Sequence, residues 1–515
     1  MIGHTQSVAL HGIDGEIVTV EVDIAPGIPS FALLGLPDSA LQESRERVRS
    51  ALANSGFLWP QSRITVSLSP AWLPKTGSSF DLPIAIAILI ADGKLKSELV
   101  EGIVILGELS LDGRIRPSRG IVPALLAAHR HGKARALLPE GNRVAAALIN
   151  EIEILAARSL REAIAILSGK VQEALFDSVD VDDESRETPS HFIDPGSPHL
   201  DFADVAGQSL AIDFLTAAAV GRHHVLMVGP PGTGKTMLAE RLPTILPPLT
   251  RSEILEVNAI HSIVHPLDGI RTLPPFIAPH HTATKVALIG GGSQSIRPGA
   301  ASQAHHGVLF IDEAPECDPG TLDALRQPME SQTVSISRAS GTYTFPAKFM
   351  LILAANPCPC GRLVGRGRGC TCTSVQIRRY LQRLSGPLLD RIDITLQVDA
   401  PGRSAFQSFT SEISSEVLRK RVAKAREVAA RRFQGEIFTV NADIPSDLVR
   451  SKYRPEKKAM VRLLDLLDEG AISARSLHRI IRLGWSFADL AGHERPGEEE
   501  ITRAIEMKQH LSGSL

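Results

Sequence analysis

The chain has 515 residues, of which 43% are apolar and 22% charged, with a formal net charge of −2. That length allows roughly three domains of about 150 residues each, and the near-average balance of apolar and charged side chains excludes global disorder. A charge this close to zero excludes an overall basic protein, so any contact with nucleic acid has to come from locally clustered Arg and Lys.

The opening residues, MIGHTQSVALHGIDGE, show no basic segment followed by an apolar core, so no secretory signal is expected. The longest apolar run, PIAIAILIA at 83–91, is about half of what a membrane span needs. A cytoplasmic protein with no membrane contact is the expectation, and five cysteines in a reducing compartment then point to metal rather than disulfides.

From 1 to 172, strand-like runs (EIVTVEVDI, SRITVSLS, GIVILGELSL) alternate with helical ones (SALQESRERVRSALANSG, PALLAAHRHG), which predicts an α/β domain. Residues 173–199 read as an acidic, solvated linker, with five Asp, two Glu and three Pro between 176 and 199. From 200 to 400, short apolar strands (HHVLMVG, HGVLFIDEA, KFMLILAAN) alternate with helices, the pattern of a parallel sheet covered on both faces. From 401 to 515 the pattern is mostly helical, as a lid would be, and no short repeat is visible.

HHVLMVGPPGTGKTMLAERL passes from a buried strand through a glycine-rich turn into a helix and contains G-x-x-x-x-G-K-T: Gly229, Pro230, Pro231, Gly232, Thr233, Gly234, Lys235 and Thr236. Backbone N–H groups of such a turn cradle a polyphosphate, Lys235 reaches its outer phosphates, and Thr236 supplies a hydroxyl to Mg²⁺. In GVLFIDEA, Asp312 suits the Mg²⁺ shell and Glu313 the polarisation of an attacking water. Asn356, at the end of KFMLILAANP, can place the same water or can simply form a turn before Pro357. Arg391 in LSGPLLDRIDI and Arg475 in GAISARSLHRI offer planar guanidinium groups for phosphate charge, from a neighbouring subunit or from the same chain's lid.

GPPGTGKT, GVLFIDEA, AANP, SGPLLDRID and SARSLHR, in this order, resemble the AAA+ ATPases of the magnesium-chelatase and MCM-helicase branch. PFIAPHHTATKVALIGGG, RPGAASQAHHGVLFIDEAPE and NPCPCG followed by a second C-x-C are similar to the ComM (YifB) family of Mg-chelatase-like proteins, over essentially the whole chain. The resemblance implies ATP and Mg²⁺ as cofactors. Lys235 and Thr236 match Walker A, Asp312 and Glu313 match Walker B, and Asn356 matches sensor 1; Arg391 resembles the arginine finger and Arg475 sensor 2, with nearby Arg479 an alternative. It further implies a homo-hexamer that moves on branched or single-stranded DNA, driving branch migration in recombination or natural transformation beside other recombination proteins. A motor that remodels a protein partner is the alternative. Two departures stand out, Ala300 where the family usually has Glu and Ala314 where it has a larger apolar residue; neither is a phosphate ligand, so only coupling to a partner is in question.

TVSISRASGTYTFPAKF, at 333–349, predicts a hairpin turning at Ser340-Gly341, of the kind that projects into the channel of related hexamers. Arg338 near its tip is either a DNA contact or a solvated arginine. The His-rich PHHTATK (His280, His281, Lys285) belongs to a second insertion and has no neighbouring acidic or cysteine ligand in sequence. The N-terminal block resembles the Lon protease domain through GSSFDLPIAIAIL and GELSLDGRIRPSRGIVPALLAAHRHG. Ser79 falls at the nucleophile position, but Val122 stands where the activating lysine belongs, and neither Lys75 nor Lys133 matches the motif; an inactive module is the expectation.

C-P-C-G-x₈-C-T-C brings Cys358, Cys360, Cys370 and Cys372 together as two short pairs, a ligand set for structural Zn²⁺. The loop carries Arg362, Arg366 and Arg368; with Arg378, Arg379 and Arg383 these make either a surface that follows phosphates or a face for the next subunit. A further basic stretch, LRKRVAKAREVAARRF at 418–433, spreads its charge around a helix and reads as solvated or DNA-facing.

Overall fold

The structure, a computed structural model, describes residues 2–36, 38–75, 77–170, 200–292, 296–338, 341–363, 369–399 and 413–509. The acidic linker, Ser340, Arg366 and Arg368 lie outside the described residues.

The N-terminal domain is built on β1 (Ile2–His11), β2 (Asp14–Ala25), β3 (Ser30–Leu34), β4 (Arg63–Ser69), β5 (Ile103–Ile105), the small pair β6 (Glu108–Leu109) and β7 (Ile115–Arg116), β8 (Arg135–Pro139) and β9 (Glu153–Ala157). Seven of these form one mixed sheet in the order β3-β4-β2-β1-β5-β8-β9. β1 and β2 are joined by a turn at Gly12, whose φ of 70° suits a residue without a Cβ.

The apolar run noted above is a core helix, Asp81–Ala91, and every one of its residues is buried. It lies against β1 so closely that a Cβ on Gly3 would sit 2.1 Å from the Ala87 carbonyl oxygen. No helix among the described residues is long and apolar enough to cross a membrane.

The second domain carries β10 (Val225–Val228), β11 (Phe276–Ile277), β12 (Gly290–Gly291), β13 (Arg297–Pro298), β14 (Val308–Ile311), β15 (Thr333–Arg338), β16 (Gly341–Pro346), β17 (Met350–Ala355) and β18 (Ile394–Gln397). Five of them make a parallel sheet, order β11-β14-β17-β10-β18. The central strands are apolar throughout because helices cover both faces. The predicted hairpin is β15 and β16, paired from Thr333↔Pro346 to Arg338↔Gly341.

The C-terminal helices Ser415–Arg432, Lys457–Asp468, Ala474–Ala491 and Glu498–Gln509 share one continuous apolar core with one face of this sheet. Leu418, Val422, Ala425 and Ala429 give the first of them its buried stripe, spaced at helical periodicity. Two of its arginines are interior, while Arg419, Lys420, Arg421, Lys424 and Arg431 are exposed, so the reading of a solvated or DNA-facing helix is corrected for Arg426 and Arg432 alone. Arg426 donates to the Ala219 carbonyl at 2.6 Å, and Arg432 pairs with Asp489 at 2.6 Å and lies 4.1 Å from the Trp485 ring. Backbone carbonyls and a buried carboxylate would lose their partners without them.

The two domains are packed together. Ala259 and Leu267 of the ATPase block belong to the same apolar cluster as Ile121, Val122 and Leu125 of the N-terminal domain. The Gly120 amide donates to the Ser262 carbonyl at 2.7 Å, and the His11 ring stacks on Tyr343 of the hairpin with centroids 4.0 Å apart.

Candidate nucleotide site and metal centre

In a parallel sheet the loops that leave the carboxyl ends of the strands gather at one edge, and ligands bind there. Gly229–Gly234 follow β10, Asp312 and Glu313 follow β14, and Asn356 follows β17. Gly232 and Gly234 hold φ of 78° and 89°, left-handed values that let the loop curl before the helix Lys235–Ile245 begins. The amides at that helix start are free of intrahelical partners by construction and favour an anion.

Lys235 is buried, and its Nζ donates to the carbonyls of Gly229 (2.6 Å) and Pro230 (2.8 Å) and to Asn356 Oδ1 (3.3 Å). Burial pushes the ammonium's pKa down, against the opposing pull of Asp312 and Glu313. Thr236 Oγ1 donates to Asp312 Oδ2 at 2.8 Å, and the Glu313 amide donates to Asp312 Oδ1, also at 2.8 Å. Thus Lys235, Thr236, Asp312 and Asn356 are brought together by three different strands. The hydroxyl and carboxylate side by side are the oxygen donors that a hard, small cation such as Mg²⁺ takes.

Glu313 sits in a left-handed conformation (φ 49°), half exposed, with His281 Nδ1 3.3 Å from its Oε2. Sequence reading gave His281 no role. The signal was in strand pairing: β11 runs beside β14 with Ile277 opposite Leu309, so four residues further on His281 is level with Glu313. An imidazole there fixes where the carboxylate points. His281→Ala is expected to lower kcat for ATP roughly tenfold with KM unchanged, because a general base must be held in line with its water; steady-state kinetics showing a wild-type kcat would remove His281 from the site.

The structure does not bring Arg391 or Arg475 to the phosphate loop of their own chain. Both lie at the other edge of the sheet, where β18 begins, about 13 Å of strand away. Arg391 is buried and ion-paired with Glu330 at 2.5 Å; Arg475 is exposed and paired with Asp390. Arg479 holds the Arg391 carbonyl at 2.7 Å and Asp393 at 2.5 Å, so it braces the segment that carries Arg391. Burial alone would raise the Asp393 pKa, but Arg479 and His223 hold it well below the usual carboxylate range.

Beside the phosphate loop, Cys358 Sγ lies 3.4 Å from Cys360 Sγ and 3.7 Å from Cys370 Sγ, Cys360 and Cys370 are 3.7 Å apart, and all four sulfurs, with Cys372, lie within 4.8 Å of one another. A tetrahedral Zn²⁺ with Zn–S bonds of about 2.3 Å has sulfur–sulfur edges of about 3.8 Å. A disulfide would need about 2.0 Å. The donor set and spacing fit zinc. The cysteine loop touches the nucleotide site: a Cβ on Gly361 would lie 2.6 Å from Pro231, and the buried Tyr380 is hydrogen-bonded to the backbone of Asn356. Of the basic side chains counted with this loop, Arg362, Arg378 and Arg379 are exposed and Arg383 reaches Glu316 at 3.4 Å.

Glu256, His305 and His306 form a second cluster of ligand types. His305 Nδ1 accepts the Lys348 amide at 2.9 Å, so its Nε2 carries the proton and donates to Glu256 at 2.7 Å. That ring has no lone pair left for a metal, and burial holds it neutral, with a pKa pushed down to about 4. In the N-terminal domain, Val122 is fully buried, Lys75 Nζ is engaged by the Pro70 carbonyl, and Ser78 donates to Glu108. Lys133 lies past the far end of the helix Ile121–Arg130, about 15 Å from Val122.

A parallel sheet with a glycine-rich loop after one strand, an Asp-Glu pair after another and an Asn after the central one defines an AAA+ P-loop fold, here of the Mg-chelatase type and preceded by a Lon-like domain. Profiles described as magnesium chelatase subunit ChlI match residues 20–142 and 201–405, and that of the ChlI C-terminal part matches 412–508. Competence protein ComM of Haemophilus influenzae is 39% identical over 498 residues, covering 96% of this chain and 95% of that protein. YifB of Escherichia coli is 37% identical over 508 residues (98% and 96%), and Rv2897c of Mycobacterium tuberculosis is 46% identical over 511 residues, 99% of each chain. The N-terminal domain alone is similar to Lon protease 1 of Myxococcus xanthus, 31% identical over 150 residues, 28% of this chain and 18% of that protein. The chain belongs to the ComM/YifB family of Mg-chelatase-like proteins.

Proposed function

We propose that the protein is an ATP-hydrolysing ring motor, a hexamer that drives branch migration on DNA. One observation carries this reading: Lys235, Thr236, Asp312 and Asn356 converge at one edge of the sheet, while Arg391 and Arg475 stand at the opposite edge, so a complete site needs two copies. A ring supplies them pairwise. Lys235 leaves the Gly229 and Pro230 carbonyls for phosphate oxygens, Glu313 and Asn356 align a water with the terminal phosphorus, and Arg391 of the adjoining copy meets the charge that develops. Thr236 and Asp312 would hold Mg²⁺, which would neutralise phosphate charge when bound. Zn²⁺ on the four cysteines is structural.

DNA is favoured as the polymer by the hairpin with its exposed Arg338, by exposed Arg362, Arg378 and Arg379, and by the similarity to the Haemophilus competence protein ComM. The deciding measurement is four-way junction unwinding by wild type and Lys235→Ala. Wild type is expected to resolve the junction in an ATP-dependent manner, and the variant to lose at least about 100-fold of that rate. ATP turnover that no DNA stimulates would instead favour a protein as the motor's substrate.

A further inference from the structure

Glu330 is in the last turn of the short helix Arg326–Ser331, and after Gln332 the chain enters β15 of the hairpin. Its carboxylate is the counter-ion of Arg391, with Nη2 2.5 Å from Oε1. Of the rest of that guanidinium, Nη1 donates to the Pro387 carbonyl at 2.7 Å, and Nε is buried without a partner among the described residues. Glu330 and Arg475, whose own partner is Asp390, line the same cleft. One half-exposed carboxylate therefore stands before two arginines at the edge of the sheet that faces away from the chain's own phosphate loop.

We propose that Glu330 is a place-holding carboxylate: it occupies, in front of Arg391 and Arg475, the position that the terminal phosphate of ATP bound to an adjoining copy takes over, and its displacement moves the hairpin. This rests on the reading that Arg391 serves a neighbour's site. A guanidinium does not lose its charge, so its only response to an arriving phosphate is to exchange one anion for another. The released Glu330 cannot move alone. Gln332 is tied to the lid through Asp443 at 2.8 Å and to the far strand of the hairpin through the Ala347 amide at 2.7 Å, and Asp443 is itself paired with Arg222. A carboxylate leaving its partner two residues from this fixed point turns β15 about it. Glu330 is thus a positioning residue that lets the hairpin of one copy sense the nucleotide of the next.

The test is Glu330→Gln, which keeps the size and removes the charge. Because Arg391 no longer has to leave a carboxylate, kcat for ATP without DNA is expected to rise roughly tenfold with KM unchanged and the assembly's mass unchanged. In wild type, ATP is expected to alter hydrogen exchange at the amides of Thr333–Pro346; in the variant that response is lost. In an Arg391→Ala background Glu330→Gln has no further effect, since the two act as one pair. A wild-type kcat in the assembled variant, or an effect that adds to that of Arg391→Ala, overturns the place-holder role while leaving Arg391 in trans intact. If Arg391→Ala itself turns over ATP normally, the trans arginine falls first and this role with it. Should Glu330→Gln not assemble, Glu330→Asp, one methylene shorter, is expected to give a smaller rise, and its absence counts against the proposal.

Discussion

Glu313→Gln is expected to bind ATP as tightly as wild type and to hydrolyse it roughly 10²–10⁴ times more slowly. The amide keeps the volume and the left-handed backbone of Glu313, and it leaves Lys235, Thr236 and Asp312 untouched, so the contacts that hold the nucleotide persist. What disappears is the negative charge that polarises water. His281, 3.3 Å away, does not restore it, because an imidazole carries no negative charge. Parallel measurements of nucleotide affinity and phosphate release decide the matter. A variant still turning over within a few-fold of wild type would mean that another group activates the water, and Glu313 would become a mere strand end.

Loss of the metal should be felt in the nucleotide site before it is felt in the fold. Cys360→Ser, or exhaustive chelation, is expected to remove one zinc per chain and to weaken ATP binding roughly tenfold or more, while far-ultraviolet circular dichroism stays close to wild type. The large apolar cores of the sheet and lid do not depend on the cysteines, so the chain is unlike a zinc finger, which unfolds without its ion. The loop is different. Three of its sulfurs, 3.4–3.7 Å apart, and the fourth, within 4.8 Å of them, would otherwise be held only by weak S–H contacts, and it supports Pro231 through Gly361. Metal analysis showing no zinc in protein that binds ATP normally would reduce the four thiols to bystanders.

The phosphate loop and its carboxylates were legible because the chemistry needs them in contiguous, invariant spacing: a turn of glycines, then Lys and Thr, and an acid pair ending an apolar strand. The cysteines were legible for a similar reason, as four ligands within fifteen residues of chain. His281 was not, since its meaning lies in the parallel pairing of β11 with β14, which periodicity does not reveal. Arg426 and Arg432 misled for the opposite reason: a charge count around a helix cannot tell a solvated guanidinium from one whose stem and head are folded onto a carbonyl or an indole ring. Nor does sequence order show that Glu330, sixty-one positions before Arg391, is its counter-ion. The α/β, parallel-sheet and helical-lid architecture followed from hydrophobic patterning. That the lid shares the core of the sheet did not.

The N-terminal domain, similar to Lon proteases in sequence, meets the second domain through an apolar surface. Ala259, Leu267 and Tyr343 are greasy because something covers them, and what covers them is Ile121, Leu125 and His11. The second domain, separated from its companion, would present that patch to water, with a hairpin deprived of the ring it leans upon. The two halves therefore shield each other's apolar surfaces, a structural reason for them to stay joined in one chain.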